Sequence, residues 1–95
     1  MEGEARLGFV GIVVERREET ARVNQVLTAN GRVIKGRIGV PNQEDGTAVI
    51  GLIVEGTNEE IGALTGKLGN IPGITVKSAL TGKKKQKDKK EGIET

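Results

Sequence analysis

The stretch from Thr57 to Leu80, TNEEIGALTGKLGNIPGITVKSAL, limits the folds open to this chain more than any other. Asn58 is a candidate N-cap, and Glu59 and Glu60 place negative charge in the first turn, where the helix dipole favours it. Ile61, Leu64 and Leu68 recur at i, i+3 and i+7, an apolar stripe that faces a core. Gly69 is placed to leave the helix with a positive φ, and Pro72 prevents its continuation. Ile74, Val76 and Ser78 then alternate with Thr75, Lys77 and Ala79, which is the period of a strand. A helix that turns straight back into a strand needs a sheet to receive it.

The upstream residues supply that sheet. Leu7 to Val14, LGFVGIVV, is almost continuously apolar and suits a strand buried on both faces. Glu15-Arg16-Arg17 breaks it, and from about Glu18 the residues Val23, Val26 and Leu27 follow helical spacing up to Gly31. Val33 to Val40 alternates again: Ile34, Gly36, Ile38 and Val40 are expected on one face, with Val33, Lys35, Arg37 and Gly39 on the other. Pro41 ends this strand, and Asn42, Glu44, Asp45 and Gly46 are turn formers. Thr47 to Glu55, TAVIGLIVE, is the next strand, and a short polar loop between two strands predicts an antiparallel hairpin.

The order strand–helix–strand–strand–helix–strand, joined by right-handed crossovers, predicts an α+β, ferredoxin-like βαββαβ sandwich. Its four-stranded antiparallel sheet carries both helices on one face. Residues 1–80 make up this domain. Residues 81–95, TGKKKQKDKKEGIET, are too charged and too poor in apolar groups to order themselves and are expected to be a disordered tail.

With no cysteine and no histidine, disulfides, thiolate chemistry and most zinc, nickel and copper sites are excluded. The commonest acid–base residue near neutral pH is missing as well. Neither a cofactor nor a metal is therefore expected. There is no apolar run of membrane-spanning length, and the acidic start Met1-Glu2-Gly3-Glu4 is unlike a secretory n-region, so the cytoplasm is the expected compartment. Residues 1–80 hold nine Lys and Arg against ten Asp and Glu, a net −1, whereas residues 81–95 hold six Lys against three acids, a net +3. The basic character belongs to the tail alone.

Phe9 is the one aromatic residue, so the core must be built from Val, Ile, Leu and Ala and will be thin. A small domain of this kind gains from burial against other subunits. The sheet face without helices should be polar, yet Thr47 to Glu55 puts Ala48, Ile50, Leu52 and Val54 on one side and Val49, Gly51 and Ile53 on the other. Exposed apolar surface of this kind marks association, so the open sheet face is expected to make a homo-oligomer, a dimer or a tetramer. Gly8, Gly11, Gly36, Gly39 and Gly51 lie within strands, where they permit close approach by another backbone.

Leu64-Thr65-Gly66-Lys67-Leu68-Gly69 is followed by Ile71-Pro72-Gly73-Ile74 and Val76-Lys77. Together with Gly36-Arg37-Ile38-Gly39-Val40-Pro41 and Val13-Val14-Glu15, these residues resemble the family of iron-only hydrogenase system regulators. The resemblance spans roughly residues 6–80 and implies an ACT-like, ferredoxin-like fold, similar to the effector domain of nickel-responsive repressors. It also implies an oligomeric regulatory module. Nickel binding in those repressors uses histidine and cysteine ligands that this sequence lacks, and with no counterpart of their separate DNA-binding domain in these 95 residues, nickel sensing and direct operator reading are not expected.

Gly62-Ala63-Leu64-Thr65-Gly66-Lys67-Leu68 superficially resembles a phosphate-binding loop, but the glycines are one residue too close and Leu68 replaces the magnesium-binding hydroxyl. The structural reading is stronger. Gly62 and Gly66 flank the Leu64/Leu68 stripe, and each costs about 1 kcal/mol relative to Ala, so a close neighbour is expected to offset them. That neighbour is a strand or another subunit's helix.

Lys35, Arg37 and Gly39 share one expected strand face. The two cations either guard an edge strand or form an anion subsite at a subunit boundary, with Arg37 as the bidentate donor and Lys77 extending it. Arg16 and Arg17, near a helix start, either lie in a solvated turn or help to hold the same anionic effector. The expected function is a non-enzymatic regulatory module that binds a small effector or a protein partner where subunits meet. The alternative is an accessory nucleic-acid-binding protein using Lys83, Lys84, Lys85, Lys87, Lys89 and Lys90, which has no aromatics for base stacking to support it.

Overall fold

The computed structural model describes residues 4–41, 44–45 and 47–81. The turn formers Asn42 and Gly46, and the tail from residue 82 onward, lie outside the described residues. The elements are β1 (Arg6–Val14), α1 (Thr20–Ala29), β2 (Ile34–Pro41), β3 (Ala48–Gly56), α2 (Asn58–Gly69) and β4 (Ile74–Leu80). The strands form one antiparallel sheet in the order β2-β3-β1-β4, a ferredoxin-like α+β fold. Beyond the last strand, Thr81 N–H donates to the Leu7 carbonyl (2.9 Å) and its Oγ1 accepts from Leu7 N–H (3.3 Å).

One apolar layer joins helices to sheet. Val10, Ile12 and Val14 of β1 and Leu52 and Val54 of β3 point to the same side and meet Val23 and Leu27 of α1 and Ile61, Leu64 and Leu68 of α2. Thirteen buried aliphatic residues make this core and no buried polar side chain among the described residues interrupts it, so the whole layer depends on aliphatic packing. Truncating a fully buried leucine such as Leu64 to alanine costs about 2–5 kcal/mol by the lost transfer energy and the cavity.

The helix ends differ from the sequence reading in three places. Thr57, not Asn58, caps α2: its Oγ1 accepts from Glu60 N–H (3.1 Å), and the Glu60 carboxylate accepts from Thr57 N–H (2.9 Å). Starting one residue earlier places Glu60 at the position where this reciprocal pair can close. Gly69 stays helical and Asn70 follows it with φ −83°; the positive φ falls instead at Gly73, at 76°. The first helix is stopped by Asn30, whose Nδ2 donates to the Val26 carbonyl (2.8 Å), with Gly31–Val33 forming a short 3-10 turn. A second 3-10 turn, Arg17–Glu19, leads into α1, and the Glu19 carboxylate meets Arg22 at 3.6 Å.

The faces of β2 also differ. Ile34 pairs with Val54, but Gly36 pairs with Ile53, so Lys35 is an extra residue and the strand bulges there. Past the bulge every side chain changes face. Ile34 sits on the helix side against the core, while Ile38 and Val40 face the open side and Arg37 and Gly39 the helix side. The β2–β3 turn is braced by Asp45, whose carboxylate accepts from Thr47 N–H (3.1 Å) and Thr47 Oγ1 (2.8 Å). The backbone bond, with the hydroxyl bond second, holds the Asp45 carboxyl below its ordinary range, so this brace persists at neutral pH and is lost only as acid protonates it.

Replacing Thr57 by alanine removes one half of the cap and leaves Glu60 N–H without its acceptor. A loss of about 1 kcal/mol in unfolding free energy is expected in urea denaturation.

Candidate functional site

The site is built on the sheet face that the helices leave open. Cross-strand partners in an antiparallel ladder share a face, so the register lays the open face out in rows. Phe9 is flanked by Ile53 and Ala79; Gly11 by Gly51 and Lys77; Val13 by Val49 and Thr75. On the other side of β3, Ile38 stands beside Gly51 and Val40 beside Val49. Apart from Lys77 and Thr75, these side chains are apolar. Ile38 keeps 69% of its surface in water, and even Ile53, on an inner strand, keeps 46%.

The middle row lacks side chains on both inner strands. Gly11 and Gly51 therefore form the floor of a trench, with the Phe9 row as one wall and the Val13–Val49 row as the other. Phe9 leans into it. A Cβ on Gly51 would lie 2.9 Å from Phe9 Cε1 and Cζ, and one on Gly11 would lie 3.4 Å from Cε2. These two glycines thus make room for the chain's own aromatic ring, where the sequence reading expected another backbone. The space left between the ring and the valine row is about 340 Å³ and ends at Lys77 and Thr75 on β4. The Lys77 ammonium has no hydrogen bond or ion pair among the described residues.

The other expected binding residues are dispersed. Lys35, in the bulge, donates to the Arg32 carbonyl (3.4 Å). Arg37 reaches over the helix side, where its Nη2 donates to Asn24 Oδ1 of α1 (3.3 Å), and Gly39 lies opposite Ile50 on that side. Arg16 and Arg17 lie between β1 and α1, and the Arg16 stem covers Gly73 so closely that a Cβ there would lie 2.5 Å from Arg16 Cγ. Since β2 and β4 are opposite edges, one chain does not gather Lys35, Arg37 and Lys77 into one cluster. Among the described residues no atom outside the helix backbone lies within 4 Å of where a Cβ on Gly62 or Gly66 would stand, so no described strand offsets them. Their free side faces solvent while the Leu64/Leu68 stripe faces the sheet.

Among the described residues no group of three or more His, Cys, Asp or Glu could hold a metal ion, and no helix is long and apolar enough to cross a membrane. Residues 6–78 match a family model, TM1266-like, described as "Iron-only hydrogenase system regulator, putative". The chain belongs to that family. A solved structure of the TM1266-like type, an uncharacterized protein of Thermotoga maritima, is 38% identical, with a TM-score of 0.76 over 81% of this chain and 98% of that one. A "putative PII-like signaling protein" of Thermus thermophilus shares the fold at 18% identity, with a TM-score of 0.54 over 82% of this chain and 91% of that one. No protein with a curated description matches. The TM1266-like match spans all four strands and both helices except the end of β4, so it includes the Gly11–Gly51 floor, Lys77 and both walls apart from Ala79.

Alanine at position 51 is expected to push the Phe9 ring off the sheet. The contact between the Phe9 ring protons and the residue-51 backbone should vanish from nuclear Overhauser spectra. Stability should change by no more than about 1 kcal/mol, because the ring is a movable, half-exposed group.

Proposed function

We propose that this chain is a non-enzymatic regulatory module of the iron-only hydrogenase system, which works as a homo-oligomer assembled through its open sheet face. A small effector or partner bound where subunits meet would then shift the assembly between states. One observation carries the reading: Leu7, Phe9, Ile38, Val40, Val49 and Ile53 are large, apolar and exposed on the same face. A solvated antiparallel sheet face normally carries polar residues. Here the helix layer has already taken the other side, and covering this one releases further apolar area from water at roughly 25 cal/mol per Å².

The family description supports the regulatory role. The chemistry of the face supports a binding role over a catalytic one, because no nucleophile, acid and base converge in the trench. A regulator needs a ligand with different affinity for two states, and a boundary between movable subunits provides such states. Lys35, Arg37 and Gly39 on one sheet edge and Lys77, Arg16 and Arg17 nearer the other would contribute to an anion site only by joining across subunits.

Light scattering coupled to size exclusion at micromolar concentration should give a mass that is a multiple of the 10.1 kDa chain. Ile38→Asp or Val49→Asp places a carboxylate on the open face without touching the core, and should reduce that mass to the monomer while the circular-dichroism spectrum is kept. A wild-type chain that is a strict monomer overturns the reading.

A further inference from the structure

We propose that the trench over Gly11 and Gly51 is a binding site for an apolar monocarboxylate, whose hydrocarbon body lies on the glycine floor and whose carboxylate pairs with Lys77. The inference rests on the subunit-boundary reading above and names the ligand class that this boundary takes.

The lining selects the ligand. Phe9, Val13, Val49 and Ile38 offer only apolar surface to its body, so a sugar or nucleotide would leave its polar groups unpaired. The one charged group, Lys77, stands at the β4 end with Thr75 beside it. One ammonium and one hydroxyl match a single carboxylate; a phosphate dianion would ask for more donors. From Ile38 on β2 to Lys77 on β4 is three strand spacings, about 14 Å, the length of an extended acid of about ten carbons. The free volume of about 340 Å³ is that of a small-ligand pocket.

Charge balance adds a second argument. Among the open-face residues within the strands Glu55 is the only carboxylate, and it lies opposite Leu7, two rows from the Gly11–Lys77 row; Glu15 follows Val13 just past the end of β1. A second copy that covers the face also covers Lys77, and a desolvated ammonium without a counter-charge is costly. A ligand carboxylate neutralises it where it stands.

The test titrates the full chain with sodium octanoate, following amide and methyl NMR signals, with light scattering on the same samples. Octanoate should give saturable shifts at Gly11, Gly51, Val13 and Val49, with one ligand per chain. Lys77→Gln should weaken binding about tenfold, as for loss of a charge-assisted bond, while Lys77→Arg and the distant Lys67→Gln retain it. Octylammonium should give no saturable shifts. Shifts elsewhere, equal binding by Lys77→Gln, or equal binding of octylammonium overturns the proposal. So does a Glu55→Gln variant that loses assembly while octanoate leaves the wild type unchanged, since a partner's carboxylate would then serve Lys77. An oligomer indifferent to octanoate sinks only the ligand; a monomer with or without octanoate sinks the boundary reading itself.

Discussion

The structure depends on the pairing of β1 with β3, nine residues of continuous register from Arg6 opposite Gly56 to Val14 opposite Ala48. Both strands are apolar on both sides, so whichever face the helices cover, another greasy face remains. The covered face holds Val10, Ile12, Leu52 and Val54, all essentially inaccessible to water. A domain of this size has little surplus stability, because much of its surface stays exposed after folding. The uncovered face therefore matters to energetics as well as to function: it is apolar area whose burial remains available to association.

Within that face, the lone aromatic ring and two glycines act together. A glycine in a strand interior forfeits side-chain packing and costs backbone entropy. At Gly11 and Gly51 the deficit is partly offset by Phe9, which lies where their side chains would have been. The ring is thereby tied to the sheet over one part of the row, and the remainder stays open toward Lys77. Local packing thus determines the shape of the surface that the proposed partner or ligand meets.

Much of the fold can be read in the residues. The six elements, the β2–β3 hairpin and the single helix-bearing face follow from periods of two and of 3.6 with clear stops. Thr57 and Asn58 are both good caps by residue type, and only the spacing to Glu60 separates them. Gly69 and Gly73 both follow the apolar stripe, and the positive φ falls at Gly73, beneath the Arg16 stem, so composition does not tell which glycine takes it. The bulge at Lys35 leaves no compositional trace, since one added residue reverses the faces of a strand without altering its period. The site is legible in part: the open face and Lys77 can be named, but the trench depends on Gly11 falling beside Gly51, which is a matter of register.

The same bulge bears on how copies would meet. An exposed edge strand can recruit another chain's edge, and bulges and charges are the usual means of blunting it. At β2 the ladder is broken at Lys35, next to the Arg32 carbonyl that its ammonium holds, and Arg37 is drawn over the helix side by Asn24. At β4 the outer edge carries Lys77 on the open face. With both edges defended in this way, sheet extension is disfavoured and the apolar face is the surface left for association. On the proposed reading, Lys77 then has two roles that do not compete: it discourages strand addition along β4, and it fixes the sign of charge that the trench accepts.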